Sequence, residues 1–249
     1  MKKILAPLLI ATALMAGHTS SQATLYTTNY GVNAGDPSNC DDCSTGLIGF
    51  SGTSQSINFF GTTYNGAFVG SNGYMTFGSG SGNFSANPLN TQTIMPMIAG
   101  LFTDLDSRND AASNVYVNTS VAGQIIATWV DMGHFSVNYG VRSTFQLVLR
   151  SDQFSIGAGE GQIGFFYDSV TDGASASAGF GDGLAAINAG EVAIQSQAPG
   201  RQLSNSAARW FSLDNGVAAP ANTVPEPGSL ALLGLGLAGL AATRRRRAK

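Results

Sequence analysis

Few side chains in this chain can do chemistry, and their spacing narrows what that chemistry is. Cys40-Asp41-Asp42-Cys43 holds the only two cysteines. A local disulfide is what an oxidising compartment favours. A redox Cys-x-x-Cys is the rival reading, and the two aspartates oppose it, because nearby negative charge raises a thiol pKa. A zinc site would want two further ligands, and beyond residue 23 the sequence offers only His134. Asp104, Asp106 and Asp110 lie within seven residues. Carboxylates at alternate positions can converge on a hard cation, which makes calcium the candidate ion. No glycine sits mid-stretch and no Glu closes a twelve-residue loop, so this is not an EF-hand. The competing reading has Asp104 and Asp106 bonding backbone amides in a turn, with Arg108 as an ion-pair partner. Asp182, between Gly181 and Gly183, reads as a turn residue.

Catalysis looks thin. There is no Gly-x-Ser-x-Gly elbow, no His-Glu-x-x-His and no phosphate loop ending in Lys-Ser/Thr. A Ser-His-Asp triad would have to use His134, which follows Asp131-Met132-Gly133 and reads as an exposed loop histidine. Glu160 and Glu191 are the only glutamates of the central span, in Gly-rich or edge-like context. They leave a glycosidase carboxylate pair as a formal alternative. The expectation is no enzyme and no catalytic residue. Tyr26, Tyr30, Tyr64, Tyr74, Tyr139 and Trp210 could form a carbohydrate-stacking platform, while Phe68, Phe77, Phe145, Phe165 and Trp129 are assigned to the core.

Charge excludes one class of partner. Seven of the 12 Lys and Arg residues sit at the chain ends. Span 24–224 holds five arginines, no lysine and 14 carboxylates, a net charge of −9. A nucleic-acid partner needs cations to displace phosphate counterions, so none is expected.

The elements that must position these residues are strands. No helical period runs through Thr24 to Val217. Short β-branched and aromatic runs alternate with Gly, Asn, Asp and Ser clusters: Ser56 to Phe60, Ala67 to Gly70, Tyr74 to Phe77, Asn114 to Asn118, Gln124 to Val130, Ser143 to Arg150, Gln162 to Tyr167 and Glu191 to Gln195. Asn72-Gly73 is a strong hairpin signal, and Ala122-Gly123 marks another turn. In Ser143 to Arg150, Phe145, Leu147 and Leu149 share one face, with Thr144 and Gln146 on the other. About eight to ten strands at this spacing predict an all-β fold, a single antiparallel β-sandwich or barrel-like domain over 24–217. Glycine, at 32 residues, suits such a chain of strands and turns.

The ends read as addresses. Lys2 and Lys3 precede an apolar run from Ile4 to Ala16 that is too short to span a bilayer, which takes about 20 residues. Ser21-Gln22-Ala23 is a small-x-small cleavage site, so residues 1–23 read as a signal peptide, with the mature start at Thr24 and Ala16 as a second candidate. Residues 218–223 read as a linker. Residues 224–249 have three parts: Val224-Pro225-Glu226-Pro227-Gly228, an apolar stretch over 229–243, and a basic tail over 244–249 led by Arg244-Arg245-Arg246-Arg247. The prolines keep the first part extended. The apolar stretch would be about 22 Å long as a helix, against a hydrocarbon core of about 30 Å. It can insert transiently but makes a poor permanent anchor. The arginines keep the tail on the cytoplasmic side.

This tail resembles the PEP-CTERM sorting signal of Gram-negative bacteria. Val224, Pro225, Glu226 and Pro227 match its hallmark. The resemblance implies an exosortase as processing partner, and release through the inner membrane and periplasm to the surface or an exopolysaccharide matrix.

A second set of segments occurs in order. They are 67–78 (AFVGSNGYMTFG), 94–106 (IMPMIAGLFTDLD), 127–130 (ATWV), 143–149 (STFQLVL), 164–167 (GFFY) and 178–183 (AGFGDG). Together they resemble the nidogen-like (NIDO) extracellular domain over roughly 45–215. An aromatic expected near Thr171 or Asp172 is missing, and no epidermal-growth-factor-like module accompanies the domain. The resemblance implies a cell–matrix adhesion or biofilm-matrix module that is not an enzyme. A secreted carbohydrate-active hydrolase is the alternative. An ice-binding surface protein is another, although Thr62-Thr63 and Thr91-x-Thr93 are isolated rather than arrayed.

Overall fold

Alternation and frequent Gly, Ser and Asn breaks give this chain strands and little else. The computed structural model describes residues 24–89, 95–184, 188–204 and 206–219. The signal peptide expected over 1–23, the sorting residues Val224 to Pro227 and Arg244 to Arg247, and Thr91 and Thr93 lie outside these. Among the described residues no helix is long and apolar enough to cross a membrane, and the helical elements are two 3-10 turns, Asp36–Asn39 and Gly200–Leu203.

In chain order the strands are β1 Val32–Asn33, β2 Ile48–Gly49, β3 Ile57–Phe59, β4 Thr62–Tyr64, β5 Gly66–Gly70, β6 Tyr74–Thr76, β7 Met97–Phe102, β8 Leu105–Asp106 and β9 Asn114–Asn118. They continue with β10 Gln124–His134, β11 Asn138–Arg150, β12 Ile163–Val170, β13 Ser175–Gly181, β14 Val192–Pro199, β15 Arg209–Phe211, β16 Leu213–Asp214 and β17 Val217–Ala218. One sheet runs β1-β9-β10-β11-β12-β15, with β8 also pairing β10. The other runs β14-β13-β7-β6-β5-β2. β3-β4 and β16-β17 are small hairpins. All pairings are antiparallel. The all-β antiparallel sandwich expected from the sequence is the fold found.

The core lies between the sheets. Ile125, Ala127, Trp129, Phe145, Leu147, Leu149, Phe165 and Tyr167 of the first sheet meet Ala67, Val69, Met75, Ile98, Leu101, Ala176, Ala178 and Phe180 of the second. Each large apolar side chain fully buried here contributes roughly 1.5–3 kcal/mol relative to exposure. Two hydrogen bonds cross the sandwich: Trp129 Nε1 donates to the Gly70 carbonyl at 3.0 Å, and the Tyr167 hydroxyl to the Gly100 carbonyl at 2.9 Å. The Trp129 and Phe145 rings stack at 4.9 Å. Of the expected core aromatics Phe68 differs. It is half-buried, because its β5 position faces out toward Gly80 while its neighbours Ala67 and Val69 face in.

Both outer faces are also partly covered. Gln146, on the face opposite Phe145, exchanges two hydrogen bonds with the Thr27 backbone. This seats Tyr26 beside Phe166 and Trp210, over Ile126 and Val148. On the other sheet the Tyr74 hydroxyl reaches the carbonyls of Ser81 and Asn83, both at 2.9 Å, and packs the 79–89 segment down. The linker expected from Ala218 begins later than the sequence suggested. Ala218 belongs to β17, and the Ala219 N–H donates to the Ser212 carbonyl at 2.8 Å, so both residues are part of the domain.

Candidate functional site

At one end of the sandwich the Cys40–Cys43 loop, the β5–β6 turn, the segment after β6, Asp104 between β7 and β8, and Phe135 just after β10 come together. Cys40 and Cys43 are joined by a disulfide. The loop is sewn to the body from both sides. The Cys40 N–H donates to Ser107 Oγ at 3.0 Å and the Ser107 N–H to the Cys40 carbonyl at 3.3 Å. The Cys43 N–H donates to Ser71 Oγ at 3.0 Å, the Ser71 N–H donates to the Cys43 carbonyl at 2.8 Å, and Ser71 Oγ also bonds the Asp41 carbonyl.

Asn72 is the hub. It is fully buried. Its Nδ2 donates to Asp42 Oδ1 at 2.8 Å and to the Asn83 carbonyl at 3.3 Å, and its Oδ1 accepts from the Leu105 N–H at 2.8 Å. The next residue must be Gly. Gly73 has φ +82°, and a Cβ there would collide with the Leu101 carbonyl. The turn read from sequence as a hairpin connection thus also orients an acidic side chain. The sequence signal for this was the Asn itself, a donor and acceptor in a segment too apolar to solvate it.

Asp41, Asp42 and Asp104 bring one carboxylate oxygen each to within 4.8 Å of one another. With Phe84 and Phe135 they line a cavity of about 180 Å³. Both rings are 49% exposed. Burial pushes Asp104 up to about 6, reinforced by the charges of Asp41 and Asp42 and opposed by His134. Burial also raises Asp41, helped by Asp106 and Asp42 and opposed by Arg108. One Asp41 oxygen, Oδ1, is buried without a hydrogen-bond partner among the described residues. Crowded carboxylates of this kind favour a cation, metallic or organic.

The convergence expected of Asp104, Asp106 and Asp110 is not what the structure shows. Asp106 takes Arg108 Nε at 2.9 Å and Nη2 at 2.7 Å, plus the Arg108 and Val137 N–H groups at 3.0 Å each. Burial raises its carboxyl, but these bonds outweigh burial and hold it below the usual range. Asp110 pairs with Arg142 at 2.7 Å and with Ser113 Oγ at 2.7 Å, which brings it down to about 2, Arg142 being the main cause. Only Asp104 faces the cavity, and its partners Asp41 and Asp42 come from between the cysteines, some 60 residues earlier in the chain. Calcium takes six to eight oxygens, and the cluster offers three carboxylates.

His134 is not an exposed loop residue. It ends β10, and Nε2 lies 3.4 Å from Asp172 Oδ2 and 3.3 Å from Thr103 Oγ1, with Nδ1 3.0 Å from the Phe135 carbonyl. Its pKa is raised, chiefly by Asp172. Glu160 pairs with Arg150 at 2.8 Å, and Glu191 accepts from the Asp182 and Asn188 N–H groups. The two glutamates therefore serve separate corners of the fold. Asp182 Oδ1 caps the Leu184 N–H at 2.8 Å, as a turn residue does. The aromatics named as a possible platform are dispersed: Tyr74 is core, Tyr26 and Trp210 cover one sheet, and Tyr139 lies beside Arg142.

Fold and site together define an antiparallel β-sandwich that displays a braced, disulfide-closed acidic loop at one end. A family model described as NIDO related matches residues 18–221, and the chain belongs to that family. A model of the PEP-CTERM protein-sorting motif matches residues 223–247. The motif marks an exosortase substrate exported to the cell envelope or surface. No curated protein and no solved structure matches the chain.

Proposed function

We propose that this protein is a non-catalytic adhesion or matrix module, bound to exopolysaccharide or to neighbouring surfaces after exosortase processing. The observation that carries the reading is the loop end of the sandwich. Two exposed phenylalanines line a small cavity whose walls are held by a disulfide and the buried Asn72, a rigid recognition surface of the kind that binds without reacting. The resident histidine is engaged by Asp172, Thr103 and the Phe135 carbonyl rather than by a nucleophile presented to that cavity. The PEP-CTERM motif supports the reading, as a sorting signal for export to the cell envelope or surface.

The test is made in the native host. Deleting the gene should reduce retention of extracellular polysaccharide on cells, and the chain returned in trans should restore it. Removing the sorting peptidase should trap the protein at the membrane with its C-terminal tail uncut. A deletion strain with normal matrix retention, or release of reducing ends by the purified protein on its own host's polysaccharide, overturns the reading.

A further inference from the structure

We propose that the cavity lined by Asp41, Asp42, Asp104, Phe84 and Phe135 binds the protonated amino group of an amino-sugar unit in a polysaccharide. This rests on the matrix-binding reading above and names its ligand. The cavity pairs two chemistries that one ligand must satisfy together. The carboxylates favour positive charge: an anion is repelled, and a neutral sugar can donate hydroxyl hydrogen bonds to them but leaves their mutual repulsion in place. Phe84 and Phe135, each 49% exposed, offer ring faces and no oxygen. A bare metal ion gains nothing from those walls, whereas an organic cation gains both cation–π attraction and apolar contact.

The protein already shows the preference on one flank. The Arg108 guanidinium lies 6.0 Å from the Phe135 ring centre, with Nη2 2.9 Å from Asp41 Oδ2. Its reach ends there, and neither Asp42 nor Asp104 is among its ion pairs. Asp104 is raised chiefly by burial and further by the charges of Asp41 and Asp42, and that second part is what an added cation would relieve.

Size and stiffness choose among organic cations. A volume of about 180 Å³ is below the roughly 300–1,000 Å³ of drug-sized sites, so a single unit enters. An amino group set directly on a pyranose ring holds its charge at a fixed, short distance from an apolar ring face. A lysine side chain would have to freeze a four-carbon stem and give up its rotamer freedom. The braced walls reward the stiffer ligand.

The test is calorimetric titration of the exported protein at pH 7 and low salt with a glucosamine hexasaccharide, its fully N-acetylated counterpart, oligolysine of equal charge, and calcium chloride. The glucosamine oligomer should bind at least tenfold more tightly than the acetylated one. Asp104→Asn and Phe84→Ala should each weaken it fivefold or more. Phe84 lies on the surface, so that variant keeps the fold even if Asp104→Asn does not. Equal binding of the acetylated oligomer, tighter binding of oligolysine, or heat from calcium alone overturns the proposal. So does wild-type affinity in both variants. A protein that retains host polysaccharide but ignores the glucosamine oligomer sinks this ligand alone, and one that retains neither sinks the matrix reading too.

Discussion

The guanidinium carbon of Arg150 lies 4.3 Å from the ring centre of Trp210, and the arginine is 1% exposed. Phe154 at 4.6 Å and Tyr26 at 5.6 Å also bound it. Every face of the charge is used: Nε donates to Gln124 at 3.0 Å, Nη1 to the Gly161 carbonyl at 3.2 Å and to Glu160 at 2.8 Å, and Nη2 to the Tyr26 hydroxyl at 2.9 Å. Gly164 beneath Trp210 is what lets the indole lie so close, because a Cβ there would sit 2.6 Å from it.

Arg150→Ala should therefore cost about 3–5 kcal/mol, the usual penalty for taking one partner out of a buried ionic network. Arg150→Lys should recover little of it, because an ammonium is a point donor and cannot replace the planar fork. Urea denaturation of the two variants checks this. A lysine variant as stable as the parent would mean that charge alone, and not the fork, holds β11, β12 and the N-terminal segment together.

Asp104 has a folded-state pKa of about 6 against an ordinary 3.8. The folded state thus binds the proton more tightly, and stability falls as pH rises from about 4 through 6. Asp104→Asn removes that loss. The variant should melt higher than the parent above pH 6 and no higher below about pH 4. Melting curves from pH 3.5 to 8 decide it, and a destabilised asparagine variant at pH 7.5 would show that the carboxylate is needed by its neighbours.

The His134–Asp172 contact adds a second pH dependence. His134 is raised above 6.5, so its contribution is whole below 6.5 and is lost as pH climbs through the folded value. Burial pushes Asp172 up, but His134, the Ala174 N–H and Thr103 outweigh it. Its lowered pKa gives a contribution present above 3.8 and lost as pH falls. The pair should therefore support the fold best between about pH 4 and 6.5. His134→Gln should flatten the decline on the alkaline side while leaving that due to Asp104. An unchanged profile would show that the pair does not couple the end of β10 to the loop before β13.

The fold was legible where the two faces of a strand differ in polarity, even where both are buried. β11 shows its alternation openly, and Phe145, Leu147 and Leu149 are core as expected. It was illegible where both faces are apolar: β7, Met97–Phe102, is buried at every position and carries no period. β13, Ser175–Gly181, hid behind small residues that read as loop. Two-residue strands such as β1 and β17 have no pattern to detect. The site was half legible for a similar reason. Asp104 could be named from local spacing, but Asp41 and Asp42 reach it only because the chain folds back across two sheets. Asp106 and Asp110 looked equivalent to Asp104 until Arg108 and Arg142 were seen to claim them.

The disulfide matters more to the site than to the fold. A loop closed over so few residues constrains the unfolded chain little, about 2 kcal/mol in the chain-entropy model, which corresponds to about 4–8 °C of melting temperature in a domain of this size. Asp41 and Asp42, however, stand between the two cysteines, and backbone bonds to Ser71 and Ser107, the Asn72 contact with Asp42 and the Arg108 ion pair with Asp41 would be left to aim them. A Cys40→Ser, Cys43→Ser double variant should stay folded, melt about 4–8 °C lower, and bind the glucosamine oligomer at least tenfold more weakly. Parallel melting and calorimetry separate the two effects. A double variant that melts lower yet binds as the parent does would show that the serines and Asn72 fix the acidic loop without the bridge.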